Sequence, residues 1–220
     1  MALQSSGAIS LADVAGEFGG STPHSLSEYY RGGSFVGSFV TAVPASGAIS
    51  LSDFYGTENY ITPVAGVTYF SISGGLTLST LNGAIGTGSA GSATDTDGGE
   101  NNVDTYAEVI SSGTRAYTIT NTNLVGNVRA YITASNSSSA STDDGFVAIG
   151  HYRSGSLISG QWFGWSPSFA GANVDVTRSF DFTLQANDTL EYWVASAAGG
   201  SVNYSSSSTT TFKSGSVDGR

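Results

Sequence analysis

The stretch Val174-Asp175-Val176-Thr177-Arg178-Ser179-Phe180-Asp181-Phe182-Thr183-Leu184-Gln185 decides the fold class. Val174, Val176, Phe180, Phe182 and Leu184 alternate with Asp175, Thr177, Ser179, Asp181, Thr183 and Gln185. A period of two places one set on each side of a strand, so one face is buried and the other wet. Arg178 interrupts the apolar set; it fits an edge position from which its guanidinium snorkels to water. Gln185-Ala186-Asn187-Asp188-Thr189 reads as a turn, after which Leu190, Tyr192 and Val194 form the inward set of the next strand. Further strands are predicted over 64–72, 76–81, 105–110, 114–120, 127–134, 146–152, 157–165 and 201–212. Many short strands between polar turns predict an antiparallel β-sandwich, jelly-roll-like, over residues 59–220. Two polar stretches, 82–103 and 135–144, read as surface loops.

Composition agrees with short strands joined by turns. The chain has 220 residues, 30 of them Gly, with Ser more numerous still and only 11% charged. Soluble domains carry roughly 25% charged residues, so the surface is dominated by hydroxyl groups. Net charge is −10, and no Lys or Arg occurs between Arg31 and Arg115. Binding to nucleic acid or to an anionic membrane surface needs a cationic footprint, which is lacking. No apolar stretch is long enough to span a bilayer. The first ten residues lack the basic and apolar regions of a signal peptide, so use without secretion is expected. Without Cys, thiol chemistry and disulfides are excluded.

Residues 1–58 follow a different pattern. Ser6-Gly7-Ala8-Ile9-Ser10-Leu11-Ala12-Asp13 recurs as Ser46-Gly47-Ala48-Ile49-Ser50-Leu51-Ser52-Asp53. A shorter echo, Ser25-Leu26-Ser27-Glu28-Tyr29-Tyr30, matches Ser50-Leu51-Ser52-Asp53-Phe54-Tyr55 in residue type. Each copy has the Ser-x-x-Asp/Glu spacing of a capping box, in which Ser and the acid satisfy each other's backbone amides. Three helices of one to two turns are expected, ended by Gly16, Gly32 and Gly56. Helices this short need a packing partner. The expected assembly interface is Ile9, Leu11, Phe18, Leu26, Tyr29, Tyr30, Ile49, Leu51, Phe54 and Tyr55, with Val14 on the same apolar side. A segment of this size buries little surface, so it is expected to gain its order against other subunits.

The string from Ser6 to Gly33, with the second Ser-Gly-Ala-Ile-Ser-Leu-x-Asp-Phe-Tyr-Gly after Val43-Pro44, resembles a module of virion structural proteins of tailed bacteriophages, including cyanophages. The resemblance implies a non-enzymatic component of the virion, assembled in the host cytoplasm. Its partners would be other phage virion proteins, and its place a tail fibre or a baseplate- or adaptor-attached position. A capsid decoration (cement) protein is the alternative, and a host-glycan-binding receptor module a further one. Residues 182–194 are similar to late strands of TNF- and C1q-like jelly rolls, which implies a homotrimer by analogy.

Few constellations point to chemistry. Asp95, Asp97, Glu100, Asp104 and Glu108 are close in sequence and invite a calcium reading. The spacing fails the EF-hand pattern, and a solvated acidic loop is the simpler account. His24 and His151 belong to no nucleophile pattern, and no carboxylate pair stands out for glycoside cleavage. No cofactor or metal is expected. Tyr152, Trp162 and Trp165 are the candidate contacts for a host surface glycan, against the plainer expectation that aromatics fill the core.

Overall fold

The computed structural model describes residues 2–73, 77–80, 92–95, 105–121, 123–138, 144–166, 173–197 and 208–220. The chain opens with helix α1 (Leu11–Phe18) and two single 3-10 turns, Leu26–Glu28 and Leu51–Phe54. Strands follow as β1 (Thr68–Ser73), β2 (Thr77–Thr80) and β3 (Ser92–Asp95), then helix α2 (Tyr106–Ser112). The remaining strands are β4 (Thr114–Thr120), β5 (Gly126–Ser138), β6 (Asp144–Arg153), β7 (Ser156–Trp165), β8 (Asn173–Leu184), β9 (Thr189–Ala197) and β10 (Ser208–Gly219).

The protein is mainly β, a sandwich of two antiparallel sheets. One sheet runs β2-β1-β10-β5-β8, with β3 also paired to β10, and the other runs β4-β9-β6-β7. The pairs are nested in sequence: β6 with β7, β5 with β8, β4 with β9 and β1 with β10. One long hairpin folded over on itself gives this nesting, and the pairs β10·β5 and β6·β9 then join neighbouring turns of the roll. That is the jelly roll expected from the alternation. Between the sheets lies one core, with Phe70, Ile72, Tyr117, Ile119, Ile132, Ile149 and Tyr192 almost wholly buried.

The strand from Val174 to Leu184 is β8, paired with β5 in unbroken register from Gly126↔Leu184 to Ser137↔Asn173. Phe182 and Leu184 are buried, whereas Val174, Val176 and Phe180 are half-buried, because β8 is an edge strand. Arg178 lies in the inward set and stacks its guanidinium over the Phe163 ring, 3.6 Å from the ring centre. This is the edge position expected of it.

Five sequence expectations are corrected. Residues 105–110 form not a strand but the start of α2: Thr105 caps it, accepting from Glu108 N (3.2 Å) and donating to the Glu108 carboxylate (2.9 Å). The last strand is Ser208–Gly219, further along the chain than 201–212, and residues 201–207 lie outside the described part. The expected loop at 82–103 contains β3, and the expected loop at 135–144 is β5 up to Ser138, with β6 starting at Asp144. Gly16 does not end α1. The helix runs on to a cap at Gly19 (φ 83°), whose N–H donates to Ala15 O at 2.8 Å. Gly16 has open space around it, so nothing breaks the helix there, and the extra turn brings Phe18 one turn beyond Val14 onto the same buried face.

Candidate functional site

The N-terminal repeats become two matched latches. At the start of α1, Ser10 N donates to the Asp13 carboxylate (2.8 Å) and Ser10 Oγ accepts from Asp13 N (3.2 Å). Ser50 N donates to Asp53 in the same way at 2.8 Å, and Ser25 N reaches Glu28 at 3.4 Å. Tyr29 and Phe54 occupy equivalent places in the two Ser-Leu-Ser copies, and both are buried, 6.3 Å apart edge-on. The next residue in each copy turns outward: Tyr30 Oη donates to the Gly47 carbonyl and Tyr55 Oη to the Gly7 carbonyl. Each repeated Ser-Gly-Ala-Ile turn is thus held by a tyrosine from a different copy. Gly7 (φ 97°) and Gly47 (φ 88°) lie in the left-handed region that this turn requires.

Val14, Phe18, Tyr29, Val36, Val40, Val43 and Phe54 form the module's own cluster. Phe18, Tyr29 and Phe54, expected at an assembly interface, face that interior instead. Tyr29 Oη donates to the Gly19 carbonyl (2.9 Å) and also meets His24 Nδ1 (3.2 Å), which places His24 in packing. Ile9, Leu11, Leu26, Ile49 and Leu51 pack against the cluster and stay part-exposed, as do Tyr30 and Tyr55. The segment thus has a buried cluster of its own, with a part-exposed apolar rim around it.

On the sandwich, the outer faces differ. The outer face of the four-stranded sheet carries Phe146, Ala148 and Ala195, covered by Tyr106 and Val109 of α2 and flanked by Ile110, Trp162 and Trp193. Gly150 and Gly160 face each other across β6 and β7, and a Cβ on either would run into the Tyr106 ring. The glycine pair is a saddle for that ring. Tyr106 Oη and Tyr152 Oη are 2.9 Å apart, and burial, reinforced by this contact, pushes the Tyr106 hydroxyl pKa up.

Of the three candidate glycan contacts, Tyr152 and Trp162 are on this outer face, Trp162 packing 6.3 Å from Phe146. Trp165 is on the opposite side, against the main core, with its indole N–H donating to Val174 O at 3.4 Å. Three residues along a strand is an odd number, so the alternation that defines β7 separates Trp162 from Trp165. They do not make one patch.

A buried polar cluster escaped the sequence reading. Asp188, fully buried, accepts from His151 Nε2 (2.7 Å), from Arg153 Nε and Nη2 (both 2.8 Å) and from Gln185 N (2.7 Å). Burial alone would push its carboxyl up, but the Arg153, Gln185 and His151 hydrogen bonds prevail and hold it below the usual range. Asn121 adds to this end of the sandwich, donating to Leu124 O (2.6 Å) and Gln185 O (2.9 Å). The group pins the β8–β9 turn to the end of β6. The Asn187-Asp188 turn signal was visible; the pairing with a His far away in sequence was not.

The outer face of the six-stranded sheet has no helix over it among the described residues. Arg129 donates to Asp181 through two nitrogens (2.8 and 3.1 Å), with Arg220 also on that carboxylate. Beyond this pair the face is mostly hydroxyls, including Thr133 and Thr177, 2.9 Å apart. A shallow trough runs over β1, β10 and β5, lined by Ser71, Tyr131, Thr133, Ser214, Ser216 and Asp218.

Among the described residues no three His, Asp or Glu side chains gather as a metal site, and most of the acidic loop considered for calcium lies outside them. Asp95 ends β3 and Glu108 is engaged at the α2 cap, while Asp97, Glu100 and Asp104 lie outside the described residues. No protein-family model matches the chain, and no curated protein matches it.

Proposed function

We propose that this protein is a non-enzymatic structural component of a bacteriophage particle, a tail-fibre or baseplate- or adaptor-attached protein. In this reading, residues 1–58 dock onto other virion proteins and the jelly roll projects from them. The observation that carries it is the tyrosine-latched N-terminal unit, in the very residues that resemble a phage virion module. That unit holds its own cluster of buried side chains, so it can present one shape to a docking partner.

Assembly as a homotrimer belongs to the same reading. Its support is the half-buried row Phe163, Trp165, Val174, Val176 and Phe180 along the free edges of β7 and β8. Aromatic residues are enriched where subunits meet.

The test is a labelled copy of the chain in purified phage particles, viewed by electron microscopy, beside a copy lacking residues 2–58. Tail-bound label that disappears with the deletion is the expected result. Label spread over the head lattice would make it a capsid decoration protein instead. Absence from the particle would sink the proposal.

A further inference from the structure

We propose that the tip of the β6–β7 hairpin docks into the groove between the N-terminal module and the jelly roll of a second copy of this chain. The inference rests on the trimeric reading above and names the contact that closes the ring.

The hairpin supplies a knob. Leu157 and Ile158 stand side by side at the start of β7, each about half exposed (48% and 51%). Among the described residues, Val64 is the one other large apolar side chain so exposed. The register explains the pair. Tyr152 pairs with Leu157 and His151 with Ser159, so Ile158 is an extra residue with no partner on β6. Bulges of this kind re-aim side chains at sheet edges. A single exposed aliphatic needs no account, whereas two adjacent ones pushed out by a bulge do.

The groove supplies the hole. It is lined by Phe39, Val40 and Ala42 of the module and by Glu58, Tyr60 and Ile61 of the segment leading into the sandwich. Phe39, Tyr60 and Ile61 are only half-buried, which leaves apolar surface in the groove facing water.

Position brings the two together. Ile61 N donates to Asn123 O (2.7 Å), and Val125 N donates to Ile61 O (2.9 Å), which stitches the groove to the β4–β5 loop. Asn121 N donates to Asp188 O (2.8 Å), tying that loop to the β8–β9 turn, and Arg153 ties the turn to the hairpin at 2.8 Å. Tip and groove therefore lie at one end of the sandwich. The tip also continues β7, whose free edge carries Phe163 and Trp165. An interface along that edge sets the symmetry axis along the strands. Rotation about such an axis keeps every surface at its own height, so the tip of one copy comes level with the groove of the next.

Charge favours the same contact. The chain carries −10, yet no acidic residue occurs from Gly145 to Val174. Two copies therefore repel each other least at this hairpin. Arg153 at its tip keeps 34% of its side chain in solvent although bonded to Asp188, and the groove presents Glu58. Opposite signs across a contact fix its register.

The test uses the full-length chain, which has no Cys of its own. Ala42→Cys and Ile158→Cys, singly and together, are treated with a short bis-maleimide. Only the double variant is expected to give a covalent ladder ending at a trimer on a denaturing gel. In sedimentation velocity, a Leu157→Ser, Ile158→Ser variant should need about tenfold more protein than the parent to assemble. Its circular dichroism and melting, at concentrations where both are monomers, should match the parent's. Should it lose its fold, the cross-link alone decides. A parent that is monomeric at every concentration overturns the trimeric reading and this inference together. A parent trimer that the serine variant reproduces, with no link between Ala42→Cys and Ile158→Cys, overturns this inference alone. So does a link in either single variant, which places like against like, or a link closed within one chain.

Discussion

The two outer faces of the sandwich start from the same strand geometry and end in opposite states. On the four-stranded sheet, outward positions are Phe146, Ala148, Trp162, Trp193 and Ala195, and α2 lies across them. On the six-stranded sheet they include Thr, Ser, Tyr and the Arg129–Asp181 pair, and no helix covers them among the described residues. The difference comes from glycine as much as from apolar side chains. Gly150 and Gly160 open a hollow that accepts the Tyr106 ring, which adds to the packing of Val109 and Ile110 in holding the seven-residue helix to the sheet. An antiparallel sheet can leave one face to water only where that face is polar, and the hydroxyl rows meet this condition.

The comparison can be broken most directly by removing its cover. Tyr106→Ala is expected to destabilise the protein by about 3–5 kcal/mol, the range for deleting a buried aromatic ring, and to expose α2 amides to hydrogen exchange. Unchanged chemical-denaturation midpoints would mean that α2 contributes nothing to the four-stranded face.

Asp188→Ala tests what joins the two sheets beneath both faces. It strands Arg153 and buried His151, so a loss of about 3–5 kcal/mol is expected, with faster exchange on β6, β8 and β9 together. The same carboxyl sets an acid limit. Its folded pKa lies below the unfolded value, so its stabilisation is complete above pH ~4 and fades as pH falls through the folded pKa. Asp181, held down by Arg129 first and then Arg220, works in the same direction. Denaturation followed from pH 7 downwards should show stability falling below pH ~4, less steeply in an Asp188→Asn variant.

Gly160→Ala asks whether the saddle has the tolerance of an ordinary surface. The new methyl meets the Tyr106 ring, and overpacking of this kind costs about 1–3 kcal/mol. A melting temperature equal to that of the parent would remove the saddle from the explanation of α2.

The smallest effects should come from the open face. Ser179→Ala and Ser214→Ala are expected to stay within about 0.5 kcal/mol of the parent. A loss comparable to that of Gly160→Ala would show that the hydroxyl face is covered in solution after all, and the contrast between the faces would fail.

Much of the fold was legible because its signals are local. Alternation over Val174–Leu184 gave the strand, its wet side and the edge place of Arg178, since side-chain direction in a strand depends only on parity. The capping boxes at Ser10, Ser25 and Ser50 were legible for the same reason: Ser and acid lie three residues apart. The Thr105 cap and Glu108 have that spacing too, but Tyr106, Val109 and Ile110 favour a strand by propensity, and that local signal points the other way. The separation of Trp162 from Trp165 was also within reach, by counting parity along β7.

What the chain determined by itself, then, was the repeating local order: strands, caps, turns and a hydroxyl-rich surface without a cationic patch. Only the tertiary structure decided which distant residues meet. His151 with Asp188, Tyr55 with Gly7, and Tyr106 in the saddle of Gly150 and Gly160 all depend on how the chain closes on itself. Side chains far apart in sequence acquire partners through sheet register and loop closure. Phe18, Tyr29 and Phe54 are the clearest case, since the same apolar pattern suits an interface or a core, and only packing in space makes them core.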